Sequence, residues 1–501
     1  MGSLDSAVLI VYVLAVVAFG AMFYRRANSA AGFTSAHQRL PGWVVGLSIF
    51  GTYLSSISFL ALPGKAYASN WTVLAFALSL PLAAYVATRW FVPLYRSTND
   101  ISAYAYLERR FGVWARLYAA TFYLLTQLAR MGTIMFLVAL ALEGLTGWDI
   151  ETIIIVTGAL VTLYTVVGGI EAVIWSDALQ SVVLTVGALV CVVLLLAGMP
   201  EGPGQLFEIA NAQDKFSVGS FAPDFTTQTF WLVFVYGIVI NLQNFGIDQS
   251  YVQRYQTAES LVAAQKSVWI GILIYIPVGM LFLFIGTALF SYYMAQPELL
   301  PEALRAAEAA DKIFPHFIVS ELPEGLTGLL LAALLAAAMS SVDTSMNSSA
   351  TILMTDVYTR FVNKGASDGQ QLRFLRMTTL ALGVLGTGTA LLMISIKSAL
   401  DVWWSLAGIF SGGMLGLFLL GALSRRARSP QAAIAMVSGL LVIVWAVFSP
   451  GWDVAWANPL HTFMTAVVGT MVLFGVGILV SRGQSRIKTR AGVNTIYDLK
   501  Q

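Results

Sequence analysis

Gly51-Thr-Tyr-Leu-Ser-Ser-Ile-Ser58 and Asn241-Leu-Gln-Asn-Phe-Gly-Ile-Asp-Gln249 are polar, glycine-marked interruptions inside otherwise apolar runs. A helix in lipid must satisfy its own backbone groups, so an interruption survives only where protein or a cavity surrounds it. Freed carbonyls and half-helix ends near mid-membrane are where transporters hold ions and polar cargo, and corresponding interruptions in two halves of a chain indicate an inverted repeat. If the first apolar run is an accessory helix, these two segments open two five-helix repeats. The other reading is that serine and asparagine merely bind helices to one another.

Working outward, apolar runs fall at 6–24, 42–68, 71–94, 113–144, 150–168, 173–199, 228–250, 263–291, 323–360, 375–396, 400–423, 431–449 and 459–481. Each is long enough to cross a bilayer, which takes roughly 20 apolar residues. Apolar residues make up 58% of the chain and charged residues 11%, whereas soluble domains are about a quarter charged. The first run is followed, not preceded, by Arg25 and Arg26, so it reads as a span with its N-terminus outside and not as a signal peptide. Alternate connections then hold 20 Lys and Arg on the inside, Arg254 among them, against Lys65, Lys215, Arg305, Lys312 and Lys397 outside. Positive charge of that asymmetry marks the cytoplasmic side.

The expected architecture is an all-α membrane protein of about 13 transmembrane helices, N-terminus outside and C-terminus cytoplasmic. One transporter domain covers 1–485: an accessory helix at 6–24, repeat one at 42–199, repeat two at 228–423 and extra helices at 431–481. A cytoplasmic tail, 486–501, follows. The outer segment PELLPEALRAAEAADKIF (297–314) reads as a short amphipathic helix over the mouth. The formal net charge of +2 gives no reason to invoke nucleic acid, and no obligate protein partner is evident. The single cysteine, Cys191, lies in an apolar run, and the three histidines are far apart. An enzyme is not expected. Gly365-Ala-Ser-Asp-Gly369 matches G-x-S-x-G formally but lies in a charged connection with no preceding strand.

Three features carry chemistry. The run Ser340, Ser341, Thr344, Asn347, Ser348, Thr351 stacks oxygens along one helical face, and hard cations take oxygen ligands; small hydroxylated residues also serve plain helix packing. Asp177 and Asp343 lie within spans, where a carboxylate costs about 2.5–3.5 kcal/mol and so has a partner or a function. For Asp177 a second reading is a dipole partner at a helix N-terminus. Arg130 is the basic residue deep in a span. Its fork suits a carboxylate, supplied either by the cargo or by a protein acid; in the latter case a neutral sugar becomes the natural cargo.

The stretches LSSISFLALPGKAY (54–67), SAYAYLERRFG (102–112), GGIEAVIWSDALQ (168–180), QRY (253–255) and AAAMSSVDTSMNSSATI (336–352) resemble the sodium:solute symporter family. Within it the resemblance is greatest to bacterial sodium/sialic acid symporters. It implies a LeuT-type 5+5 inverted repeat, a multi-pass protein of the bacterial inner membrane, and import of a small polar solute with Na+. Sialic acid, another sugar acid or a monocarboxylate would suit Arg130. Carried over by position, sodium site one would use backbone oxygens of Gly51, Leu54 and Ala337 and the hydroxyls of Ser340 and Ser341. Gly51 replaces an alanine of the relatives, a change expected to be harmless because its ligand is a carbonyl. Sodium site two would use Asp177, Ser340, Asp343 and Thr344, with Asp343 standing where the relatives have serine. Cargo would meet Ser55, Ser58 and Arg130, with Asn241, Gln243, Asn244 and Phe245 lining or gating the pocket. Ala77 stands where the relatives have a substrate-reaching glutamine.

Overall fold

The computed structural model describes residues 2–306, 309–395, 413–452, 454–486 and 495. Among these every regular element is helical, apart from one isolated bridge between Leu40 and Ala258. The first half contains α1 (Ser3–Ala21), α2 (Gly42–Tyr53), α3 (Ser56–Ala68), α4 (Leu74–Thr98), α5 (Val113–Thr146) and α6 (Ile150–Ala197). The second contains α7 (Phe230–Ile247), α8 (Gln249–Thr257), α9 (Leu261–Ala295), α10 (Ala310–Ser320), α11 (Leu326–Val362) and α12 (Asp368–Met393). After it come α13 (Gly413–Leu423), α14 (Ser429–Phe448) and α15 (Met464–Ser481). The start of the expected span 400–423, and with it Lys397, lies outside the described residues, as do Lys488 and Arg490 of the tail.

Ten described helices are long and apolar enough to cross a membrane, and up to 11 with the bent pair α2 and α3 taken as one span. The runs read as separate spans at 150–168 and 173–199 form the continuous 48-residue α6. At about 1.5 Å per residue its 48 residues make about 72 Å of helical path, shared between two helices. Its helical course turns at Gly169, with φ 58 and ψ −156, a backbone conformation open to glycine because it has no Cβ. Two helices therefore meet there without an intervening loop, close against Phe33.

The core is organised around α11. Its most apolar window is 89% buried, against 28% for α1, α12 and α14. Helices α5, α6 and α1 pack along it, while α9 packs along α2 and α3. The buried Asp5 of α1 caps α11 in trans: its Oδ1 accepts the N–H groups of Gly325 (2.7 Å) and Gly328 (2.9 Å). A carboxylate there answers both the orphan N–H groups and the positive helix end. At the other end Asp356, also buried, accepts from Arg116 (2.5 Å) and Ser102 (2.8 Å). The amphipathic outer helix expected at 297–314 instead runs over Ala310–Ser320 and packs on α3, with 3-10 turns at Pro297–Leu299 and Glu302–Leu304 before it. Pro297 opens the first of these turns and Pro301 precedes the second, positions where the missing N–H costs no helical hydrogen bond.

Gly169→Ala is expected to lower stability by about 1–3 kcal/mol, the cost of a non-glycine residue in a sparsely populated region, since its Cβ would also meet Phe33 at 3.0 Å. Gly144→Ala, in α5 with nothing within 4 Å, is expected to be neutral or stabilising by a few tenths to about 1 kcal/mol. Thermal unfolding of the two purified variants checks the contrast.

Candidate functional site

The first interruption is a true break. Leu54 (ψ 87) and Ser55 (ψ 168) leave helical geometry, and α3 departs from α2 at 56°. The last four carbonyls of a helix have no intrahelical partner, so those of α2 face the break. Thr52 O accepts Arg130 Nη2 (3.3 Å). Next to the break lies a void of about 10 Å³ bounded by Phe50, Gly51, Leu54, Gln180, Ser181, Leu184, Ala337 and Ser340. That is room for about one water-sized occupant. It brings Gly51, Leu54, Ala337 and Ser340 of expected sodium site one together. Ser341 is one turn from Ala337, and its hydroxyl donates to Ala337 O (3.2 Å). The hydroxyls of Ser340 and Ser341 both donate, to Asp177 Oδ1 (2.6 Å) and Ala337 O, which leaves oxygen lone pairs for a cation. Sequence reasoning missed Gln180, 2% exposed, whose amide borders the void. The donor set of carbonyl, hydroxyl and amide oxygens fits a hard monovalent cation.

Gly51, which stands where the relatives have alanine, is closely enclosed in this chain. A Cβ at Gly51 would lie 2.7 Å from Ser181 Oγ and 3.2 Å from Asp177 O. The missing side chain is what lets α2 approach α6, whatever its carbonyl does.

Asp177 is fully buried in α6 and is the hub of a polar cluster. Its Oδ1 accepts from Ser340, and its Oδ2 from Ser48 (2.5 Å) and Arg254 Nη2 (2.7 Å). The same Nη2 donates to Thr344 Oγ1 (2.7 Å), Arg254 Nε to Ser48 Oγ (2.8 Å) and Nη1 to Ser250 O (2.7 Å). The charge pattern of the sequence places Arg254 in a cytoplasmic connection. It is instead 1% exposed, on α8, all nine of whose residues are buried. An unpaired guanidinium would be costly there, and Asp177 is its counter-charge. Asp177, Ser340 and Thr344 of expected site two thus converge, with a guanidinium among them. Asp343 is buried beside them, but its Oδ2 accepts from Tyr164 (2.5 Å).

The second interruption is sharper and later than its polar signal. Asn241 to Phe245 are still helical; the break falls at Asp248 (φ −71, ψ 126), which caps α8 by accepting Ser250 N–H (2.7 Å). Helix α8 lays its polar side on α11: Gln253 Nε2 donates to Asn347 (2.9 Å) and Thr351 (3.0 Å), and Tyr123 links Ser250 to Ser348. The hydroxyl stripe is therefore divided. Of the stripe Ser340 borders the void, and Thr344, Asn347, Ser348 and Thr351 serve the docking of α8 and its neighbours.

Among the expected cargo residues, Asn241 is fully buried and saturated: it takes the Tyr53 hydroxyl and donates to Ser79 (2.9 Å) and Phe76 O (3.3 Å). That makes it a strut between α2, α4 and α7. Phe245, 1% exposed, stacks with Tyr53 at 5.7 Å. Gln243 and Asn244 are half-buried on α7, as are Ser55 and Ser58 on the first turn of α3. Ala77 is buried in α4. Arg130 is half-buried, and among the described residues no carboxylate lies within 4.0 Å of it.

One signal for the missed Arg254 was present. Ser250, Gln253, Arg254 and Thr257 recur at helical spacing, a polar stripe that needs a polar counterpart. Ser48, Tyr164 and Gln180 carried none, because single polar residues in apolar spans are common.

The sodium:solute symporter family matches residues 33–448. A sodium/sialic acid symporter of Aliivibrio fischeri is 35% identical over 96% of this chain and 93% of its own length. Another, of Proteus mirabilis, is 32% identical over 96% and 95%. A structure described as the substrate-bound outward-open state of a Na+-coupled sialic acid symporter with a novel Na+ site superposes with a TM-score of 0.90 at 30% identity, covering 97% of this chain and 99% of that one. A nucleobase-cation-symport-1 transporter, 18% identical with a TM-score of 0.57, shares the fold alone; both neighbours are of the LeuT type. The match spans both helix breaks, Asp177, Arg254 and the stripe of α11, and with near-full-length likeness in sequence and fold this chain belongs to the sodium:solute symporter family.

Proposed function

We propose that this protein is a sodium-coupled symporter that imports a carboxylate-bearing sugar acid of the sialic acid type by alternating access. The observation that carries the reading is the ion-sized void where the broken α2 meets α11 and α6. Sodium enters that void as co-substrate, held by the carbonyls of Gly51, Leu54 and Ala337 and the hydroxyls of Ser340 and Ser341, with the Gln180 amide at its edge. A cation there joins the end of α2 to α11 and closes their separation. Two sodium/sialic acid symporters among the relatives support the cargo class.

In this reading the cargo carboxylate meets Arg130, which faces no carboxylate of the described protein within ion-pair distance. The first turn of α3 adds the hydroxyls of Ser55 and Ser58 and the positive end of a helix. Gln243 and Asn244 line the opposite wall, while Asn241 and Phe245 keep Tyr53 in place. We read Asp177, Ser340, Asp343 and Thr344 as the frame of a second sodium site, beside the guanidinium of Arg254.

The finer architecture follows the same proposal. Thirteen spans result if α6 crosses twice around Gly169 and 400–423 crosses once. Two inverted five-helix repeats cover 42–199 and 228–423, between accessory helix 6–24 and extra helices 431–481. The single domain ends near 485, its N-terminus outside and its tail cytoplasmic, in a bacterial inner membrane.

Uptake of sialic acid into proteoliposomes is expected to require an inward sodium gradient, with no substitution by potassium. Equal uptake without sodium at every pH tested would overturn the reading. Ser341→Ala is expected to abolish coupled uptake with little loss of stability, by removing one of about five oxygens around the ion.

Arg130→Ala is expected to weaken binding of the acid by about 3–5 kcal/mol, the cost of losing one partner of a buried charged pair. Arg130→Lys is expected to lose less but still substantially, because an ammonium cannot copy the fork. The amide analogue of the same cargo is expected to be much less affected by either change. Calorimetric titration of acid and amide against wild type and variants, read as a double-mutant cycle, decides; equal losses for both ligands would make Arg130 a scaffold residue and favour a neutral sugar.

A further inference from the structure

We propose that a cleft between the accessory helix α1 and the first half of α6 binds a zwitterionic phospholipid of the bilayer, with an acyl chain in the cleft and an ethanolamine headgroup over its acidic rim. The cleft has a volume of about 300 Å³, and its lining residues are apolar except Thr152 and Thr157. Leu9, Leu142, Ile153 and Leu335 form a buried floor, and Ile10, Leu14 and Val156, each at least half exposed, form the mouth. An apolar cavity stays dry, and in a spanning protein such a mouth opens on hydrocarbon. Two contacts hold the cleft open. At one end Asp5 accepts the N–H groups of Gly325 and Gly328 and pins α1 to α11. At the other, Gly20 lets α1 touch α6: a Cβ there would lie 2.9 Å from Tyr164 Cβ, and one on Gly168 would lie 2.6 Å from Gly20 O. With both ends held, collapse of the space between would cost one of these contacts.

The dimensions suit one leaflet. From Ile150 to Leu160, α6 rises about 15 Å at about 1.5 Å per residue, half of the roughly 30 Å hydrocarbon core. Trp148 stands at the head of the cleft, the level at which membrane proteins place tryptophan. Around it Glu143, Asp149 and Glu151 carry negative charge, and no Lys or Arg occurs in α1, in α6 or in α11 before Arg360. Such a rim attracts an ammonium and repels an anionic headgroup, and a primary ammonium also donates hydrogen bonds to carboxylates. An acyl chain on this floor touches Leu335, two residues before Ala337 of the ion-sized void, so the bilayer buttresses α11 beside it. Only the choice of leaflet, the outer one in the proposed topology, rests on the symporter reading.

The probes are phosphatidylethanolamine and phosphatidylglycerol with the same acyl chains, added to the delipidated full-length chain in detergent. Native mass spectrometry counts the lipid retained per chain, and thermal unfolding is followed in parallel. Wild type is expected to retain a tightly held phosphatidylethanolamine, to retain phosphatidylglycerol less, and to unfold several degrees higher with the former. Val13→Phe/Thr157→Phe, whose rings fill the cleft, is expected to lose both that lipid and the shift. Val384→Phe, on an exposed face of α12, is expected to keep both. Glu143→Gln/Glu151→Gln, with the cleft intact, is expected to hold the two lipids alike, a result that supports the proposal even where the filled variant does not fold. Wild type without a tightly held lipid, or a folded Val13→Phe/Thr157→Phe that still retains it, would overturn the proposal. Equal retention of the two lipids by wild type would overturn the headgroup assignment. Sodium and cargo take no part in these measurements, so this proposal and the symporter reading fail separately.

Discussion

The contact between Arg254 and Asp177 is the constraint from which much of this structure follows. A guanidinium and a carboxylate at 2.7 Å, neither more than 1% exposed, cannot be separated in a dry interior without a cost of several kcal/mol. Holding them together requires α8 to reach past α2 to α6, and it requires α11 to offer hydroxyls on that side. Ser48, Ser340, Thr344 and the Ser250 carbonyl complete the shell. The pair thus ties four helices across the protein.

Around that pair, the two helix breaks play unequal parts. The break between α2 and α3 frees carbonyls beside a void and lies next to an arginine that, among the described residues, has no carboxylate within 4.0 Å. The break at Asp248 frees a half-helix whose polar side is fully engaged. One break therefore offers open ligands, and the other offers a docked lever. The division of the α11 stripe follows the same line: Ser340 borders the void, and the residues below Thr344 hold α8. Asp5, capping α11 from the accessory helix, fixes the helix to which both breaks refer.

Much of the fold was legible because the bilayer penalises composition locally. Apolar runs, their spacing and the bias of Lys and Arg report the cost of each residue in lipid or at its surface, with no knowledge of neighbours. The first break was legible for the same reason, since polar residues and glycine in a span signal unsatisfied backbone. Boundaries set by geometry were less so. The polar signal of 241–249 precedes the actual break by several residues because Asn241 is satisfied sideways, by Tyr53 and Ser79. The joint at Gly169 was read as a gap because a glycine that lets two helices meet looks, in sequence, like one that separates them.

By itself the sequence determined the membrane class, the polar interruptions, the hydroxyl stripe and the family resemblance, all of which depend on residues near one another in the chain or on motifs. Only the tertiary structure decided which charges meet. Asp177 lies 77 residues from Arg254 and 163 from Ser340, and no local pattern links them. A lone arginine in a short polar segment reads as a solvated charge until a carboxylate on another helix is brought beside it. The close approach of Gly51 to Ser181 and the place of the Gln180 amide beside the void were hidden for the same reason. Neutralising a buried charge and filling a void are properties of side chains brought together from distant positions, and packing alone sets them.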